Sequence, residues 1–241
     1  MTYRIRALKN GECQVRDYIT YSNTDSRETS TFYLYIWLIK GGERPMIVET
    51  GPADVEGFNR GTAAYIPGGV VQTPDEETPA LMRKAGVDPR DVSHVFVTHL
   101  HGDHYTYYPL FENAQLVVNR RGFLDSLTSI PRDVMMALAA RWPESLRLVE
   151  DEEIVPGIRT FWVGGHSVCS QAVAVETHAG TAIITGDVVY MYRNIEEDIT
   201  IASPNQHECI AAMERIRREA DIILPAHDPL VLERHPGGVI G

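Results

Sequence analysis

The chain has 241 residues, of which 33 are acidic and 22 basic, a formal net charge of -11 and 44% hydrophobic residues. This is the composition of a folded chain long enough for a full core, and its negative balance argues against nucleic acid, which it would repel at long range. Cys13, Cys169 and Cys209 form no C-x-x-C pair, so neither a disulfide framework nor a thiolate zinc site is signalled; with no apolar leader and no bilayer-length run, the expected setting is cytoplasmic, away from membranes.

In chain order, Tyr3–Val15 and Phe32–Ile39 read as strands, the second rich in aromatic and branched residues. A Gly41-Gly42 turn leads to a third strand, Met46–Glu49, broken by Thr50-Gly51-Pro52. Residues Phe58 to Gln72 carry several glycines and Pro67, and read as a long loop, a pocket cover or a dimer contact. A helix follows Thr73-Pro74, with Leu81, Met82 and Ala85 on one face and Gly86 as its stop. Asp88-Pro89-Arg90-Asp91 then turns the chain into the apolar run Val95-Phe96-Val97.

That run ends in Thr98-His99-Leu100-His101-Gly102-Asp103-His104, with four metal-capable side chains in six residues. A loop leaving a strand end can turn His99 and His101 to one side of a point and curl Asp103 and His104 to the other, which suits two cations rather than one. Tyr105, Tyr107 and Tyr108 follow and either narrow a pocket or pack as a helix start. Beyond them come a strand, Gln115–Val118, two helical segments, Arg120 to Leu127 and Arg132 to Arg141, and a second β-rich half beginning with Leu146–Glu150 and Ile158–Val163. Three further apolar strands run into a possible ligand: Arg159–Val163 into His166 through Gly164-Gly165, Ala182–Gly186 into Asp187, and Asp221–Ala226 into His227. Gly186 permits close backbone approach there. A helix from Pro204 to Glu219 presents Cys209, Ile210, Met213 and Ile216 inward.

The His-x-His-x-Asp-His run, followed by His166, Asp187 and His227 at strand ends in this order, resembles the signature of the metallo-β-lactamase superfamily over nearly the whole chain. The resemblance implies an α/β fold, a four-layer αβ/βα sandwich of two mixed sheets with outer helices, as a single domain over residues 1–241. It also implies two divalent metal ions, zinc in first place with Mn2+, Fe2+ or Co2+ as alternatives. His99, His101 and His166 would hold one ion, Asp103, His104 and His227 the other, and Asp187 would bridge them. His94, His178, His207 and His235 fall outside the pattern. The family usually has Asp before Thr-Gly where this chain has Glu49, so the support of the metal loops from behind is open at that position.

Asp187-Val188-Val189-Tyr190 is similar to the Asp-x-x-Tyr of the N-acyl-homoserine lactonases, whose tyrosine hydrogen-bonds the substrate carbonyl. Gly165-His166-Ser167-Val168-Cys169-Ser170 departs from their Gly-His-Thr-x-Gly pattern, with Cys169 as a small buried filler in place of glycine. The expected reaction is hydrolysis of a small carbonyl substrate, a lactone or related cyclic ester or amide, by a metal-bridging hydroxide, with the second metal and Tyr190 steadying the oxyanion and Asp103 or water returning the proton. The rivals are a glyoxalase-II-like thioesterase, for which Arg234 and His235 would grip a carboxylate, a phosphodiesterase of the tRNA-processing type, and a non-catalytic iron-binding sensor. Antibiotic hydrolysis is not expected, because true metallo-β-lactamases lack the bridging Asp and are exported. The expected partner is the small-molecule substrate, and the chain is read as a monomer or homodimer.

Overall fold

An apolar run with no polar alternation, such as Phe32–Ile39, is stable as a strand only when both its faces are covered. In the computed structural model, which describes residues 2–122 and 144–241, both are. The run lies in the second of twelve strands found among the described residues: β1 (Arg4–Arg16), β2 (Thr29–Lys40), β3 (Met46–Val48), β4 (His94–Phe96), β5 (Gln115–Asn119), β6 (Leu146–Val149), β7 (Glu152–Val155), β8 (Ile158–Trp162), β9 (Gln171–Thr177), β10 (Gly180–Ile184), β11 (Ile222–Leu224) and β12 (Val239–Ile240). They form a seven-stranded sheet, in the order β12-β1-β2-β3-β4-β5-β6, and a five-stranded sheet, β11-β10-β9-β8-β7. Both are mixed: β3 to β6 pair in parallel and β12 to β3 antiparallel, while only β10 and β11 are parallel in the smaller sheet.

The pleat sorts side chains into layers. Along β2, Tyr35, Trp37 and Ile39 enter the core between the sheets with Val173, Val175 and Ile184, whereas Ile36 and Leu38 pack on the outside with Leu81 and Met82 of the helix Thr78–Lys84. On the far side, Phe161, Ala172 and Ile183 meet Cys209, Ala212, Met213 and Ile216 of the helix Gln206–Glu219. The result is the helix–sheet–sheet–helix sandwich anticipated from the motif.

Several expectations change. Leu146–Val149 does not open the second half but closes the edge of the first sheet, because its partner is β5. Strands β7 and β9 carry no distinct sequence signal, since each pairs with β8 in an antiparallel meander rather than ending in a marked turn. The stretch read as a loop from Phe58 begins inside a helix, Val55–Thr62, whose cap is the Asp54 carboxylate accepting from the Gly57 N–H at 2.8 Å. In the long helix Ile210 is 47% exposed, and Ala212 takes the inward place expected of it. The two segments read as helices from Arg120 and Arg132 lie almost entirely outside the described residues; Arg120–Gly122 are helical.

Candidate functional site

Four strands deliver the candidate residues from their C-terminal ends: β4 to His99, His101, Asp103 and His104, β8 to His166, β10 to Asp187 and β11 to His227. Strand β4 belongs to one sheet and the other three to its partner, so the residues meet at one end of the sandwich. Two contacts make that meeting close. A Cβ on Gly186, at φ +59, would fall 2.7 Å from Thr98 Cβ, so only glycine lets the Asp187 turn sit against the His99 loop. Gln171, fully buried at the start of β9, donates its Nε2–H to the Val97 carbonyl at 2.8 Å, while its backbone N–H donates to the Thr98 carbonyl at 2.9 Å.

All seven candidate ligands converge. Asp187 is the centre: its Oδ2 lies 3.6 Å from His99 Nε2 and 3.5 Å from His166 Nε2, and its Oδ1 lies 3.1 Å from His227 Nε2 and 3.4 Å from His104 Nε2. One carboxylate oxygen thus faces each histidine group. His101 Nδ1 is 3.0 Å from His166 Nε2, and Asp103 Oδ2 is 3.4 Å from His104 Nε2. The donor atoms of His99, His101 and His166, and those of Asp103, His104 and His227, form two sets, each within 4.8 Å of one another. The remaining histidines lie elsewhere: His94 stacks on Phe96, His178 reaches Thr2, and His207 and His235 are outside the cluster.

The electrostatics fit cations. Burial pushes His99 well below the usual imidazole range and His166 down to about 4, so both offer a neutral ring. Burial also opposes the charge on His104 and His227, but it is outweighed, by Asp103, Asp187 and Glu49 at His104 and by Asp187 at His227, and both are raised. Those rings keep Asp187 well below the carboxylate range and Asp103 lowered, against the burial that would raise both. Meanwhile His99 Nε2 and His104 Nε2 are buried without a hydrogen bond, although carboxylate oxygens stand 3.4–3.6 Å away. Buried donors left without hydrogen bonds beside two carboxylates are the expected residue set for divalent cations.

The outer ring of contacts answers one open question. Glu49 is 4% exposed, accepts from the Thr98 N–H at 3.2 Å and sets the same oxygen 3.3 Å from His104 Nδ1. It therefore supports the loop from behind, and its φ of +67 marks a strained backbone at that duty. His227 is held by the Tyr33 carbonyl, 3.0 Å from Nδ1, and stacks on Phe32 with centroids 5.0 Å apart. The Tyr190 hydroxyl lies 3.1 Å from His166 Nδ1, and burial, with Asp187 adding to it, holds the phenol well above its ordinary value and hence protonated.

A cavity of about 380 Å³ opens onto the cluster, with Tyr190, Asp187 and His227 at its floor. Its walls come from places the sequence did not mark, Cys13 and Val15 on β1 and Phe32 and Leu34 on β2, and from Phe58, Tyr65, Ile66 and Val70 in the stretch read as a pocket cover. The tyrosines after His104 are not among them: Tyr105 packs in the core with Phe111, and Tyr107 and Tyr108 are half-buried outside the cavity. Among the described residues no Lys or Arg lines it, and Arg234, the candidate grip for a thioester carboxylate, is paired with Glu196 at 2.8 Å and stacked on Tyr192.

Comparisons with known proteins identify the family and the fold. Residues 31–227 match the family model of the metallo-beta-lactamase superfamily. N-acyl homoserine lactonase AiiA of Bacillus thuringiensis subsp. kurstaki is 24% identical over 205 residues, 81% of each chain. Metallo-beta-lactamase domain-containing protein 1 of Homo sapiens is 30% identical over 150 residues, 60% of this chain and 50% of that one. Among solved structures, an N-acyl homoserine lactone hydrolase with the product N-hexanoyl-L-homoserine bound at its catalytic metal center is superposable with a TM-score of 0.81, at 22% identity and 97% coverage of both chains. A B. thuringiensis AiiA mutant with N-decanoyl-L-homoserine at its active site gives the same score and coverage. With two facing sheets, a cluster of histidines and aspartates at their common end and a family match spanning most of its length, this chain belongs to the metallo-β-lactamase superfamily.

Proposed function

We propose that the chain is a binuclear metal-dependent hydrolase that opens lactones carrying an apolar substituent. The observation that carries this reading is the split of Asp187, one oxygen toward each histidine group, at the floor of an apolar cavity that also holds the Tyr190 phenol. His99, His101 and His166 would hold one cation, Asp103, His104 and His227 the second, and Asp187 would bridge them; zinc is the expected metal, with manganese, iron(II) or cobalt able to use the same donors. When bound, such a pair supplies hydroxide near neutral pH by lowering the pKa of water from about 15.7 toward 7.

The chain's own residues do the rest. Tyr190, protonated, can donate its O–H to the carbonyl oxygen as negative charge builds there. Asp103, kept ionised by His104, would take a proton and return it to the leaving alkoxide. The apolar walls exclude water from the acyl side and favour an uncharged substrate. The relatives that are named as lactonases support the substrate class, as does the absence of a cationic grip among the cavity's described residues.

The test is elemental analysis of protein purified under metal-replete conditions, followed by assays with lactones, thioesters and phosphodiesters. About two cations per chain and turnover of lactones are expected. Turnover of thioesters or phosphodiesters without lactones would remove the substrate claim, and a metal-free protein would remove the whole mechanism.

A further inference from the structure

His101 and His166 line two recesses: the apolar cavity, and a hollow of about 480 Å³ that they border together with Trp162, Val168, Asn205 and Glu208. The hollow is firmly built. Trp162 donates its Nε1–H to the Val168 carbonyl at 3.0 Å, and Glu208 accepts the Gly165 N–H at 2.8 Å, fixing its carboxylate one residue from His166. Asn205 caps the long helix by accepting the Glu208 N–H at 3.3 Å.

We propose that this hollow is a second substrate subsite, one that takes the alcohol side of the ester while the apolar cavity takes the acyl side. The inference rests on the hydrolase reading given above. The two substituents of an ester carbonyl diverge from the carbon under attack, and two recesses border the same pair of histidines; both are largely apolar, but the hollow alone carries a carboxylate from outside the ligand cluster, that of Glu208. The apolar cavity suits hydrocarbon. The Trp162 N–H is spent on the Val168 carbonyl, so the polar capacity of the hollow lies in the Asn205 amide and in the Glu208 carboxylate, whose second oxygen can accept a hydrogen bond from a hydroxyl, amide or ammonium group. Arg121 stacks on Trp162, but among the described residues no Lys or Arg lines the hollow, and Glu208 would repel an anionic arm. The substrate class is therefore amphiphilic: an apolar acyl portion and an uncharged or cationic donor-bearing group on the carbinol carbon.

The experiment compares kcat/KM for γ-butyrolactone and for its γ-hydroxymethyl and γ-carboxy derivatives in the metal-loaded enzyme and in Val168→Trp and Glu208→Gln. Val168 is 53% exposed, so the larger side chain narrows the hollow without entering the core. Val168→Trp should lower the ratio of γ-hydroxymethyl to unsubstituted lactone at least tenfold, through KM. Glu208→Gln should raise the relative rate for the γ-carboxy compound. Unchanged ratios in both variants would overturn the proposal. Crystals soaked with the opened product 4,5-dihydroxypentanoate give a second readout: its diol arm beside Trp162 and Asn205 supports the subsite, and a diol arm among Phe32 and Ile66 overturns it. If the wild-type enzyme opens no lactone at all, the hydrolase reading falls by itself, and the soaked crystal still decides where the diol binds.

Discussion

Tyr190 has to serve two neighbours with one hydroxyl, and the chemistry of His166 allows it. A ring that uses Nε2 for a cation carries its proton on Nδ1, which then donates to the Tyr190 oxygen 3.1 Å away and leaves the phenol proton for a substrate carbonyl. Tyr190→Phe should therefore cut kcat by about 100-fold while elemental analysis still finds the wild-type metal content. Asp187→Ala removes the carboxylate shared by both histidine groups and should leave less than one cation per chain. The opposite split, metal lost from the first variant's protein and kept in the second's, would reverse the roles assigned here. Glu49→Gln keeps the acceptor for the Thr98 N–H but weakens the partner of His104 Nδ1, and a chelator competition should show metal affinity lower by about 10- to 100-fold. Unaltered affinity would reduce Glu49 to a packing residue.

Among elements, the helix Gln206–Glu219 shows how a surface network fastens a layer to its sheet. At its C-terminal end Glu219 accepts from Arg159 of β8 at 2.7 Å and from Arg215 at 3.0 Å, and Arg215 reaches on to Asp151 at 2.6 Å. Burial would raise the Glu219 pKa, but the two guanidinium groups outweigh it and the net shift is downward from 4.5. A carboxylate with a depressed folded-state pKa contributes stability that is fully present above its unfolded value and is lost as pH falls through the folded one. The difference in urea midpoint between the wild type and Glu219→Gln should therefore be present at pH 7 and fade below about pH 4.5; a gap that widened in acid would contradict the pairing. The strand-to-ligand junctions are legible in the amino-acid order itself, because each is local: an apolar run of strand length, then a glycine or turn, then a donor. The helix Val55–Thr62 is not, because its glycines mimic a loop and its stabilising features, the Asp54 cap and the burial of Thr62, depend on context.

For the molecule as a whole, if the seven donors drawn from both sheets hold cations as proposed, metal and fold are thermodynamically linked. Cations bound only by the native state stabilise it by about 2.7 kcal/mol per site at a hundredfold excess over Kd, and at this chain length each kcal/mol is worth about 2–4 °C in Tm. Chelation should lower Tm by at least several degrees, and re-addition of zinc should restore it; a Tm indifferent to chelator would mean that no cation is held between the sheets. The sequence by itself determined the sandwich class and the seven convergent side chains through a family resemblance, since the donors that carry it stand at the ends of apolar, strand-length runs and are written in neighbouring residues. Only the tertiary structure decided the walls of the cavity, the placement of Leu146–Val149 in the first sheet and the exclusion of Tyr105, Tyr107 and Tyr108 from the pocket. Cys13, Phe32, Phe58 and Val70 become neighbours through chain segments far apart, and no local pattern encodes such a surface because packing between layers, not propensity within a segment, selects it.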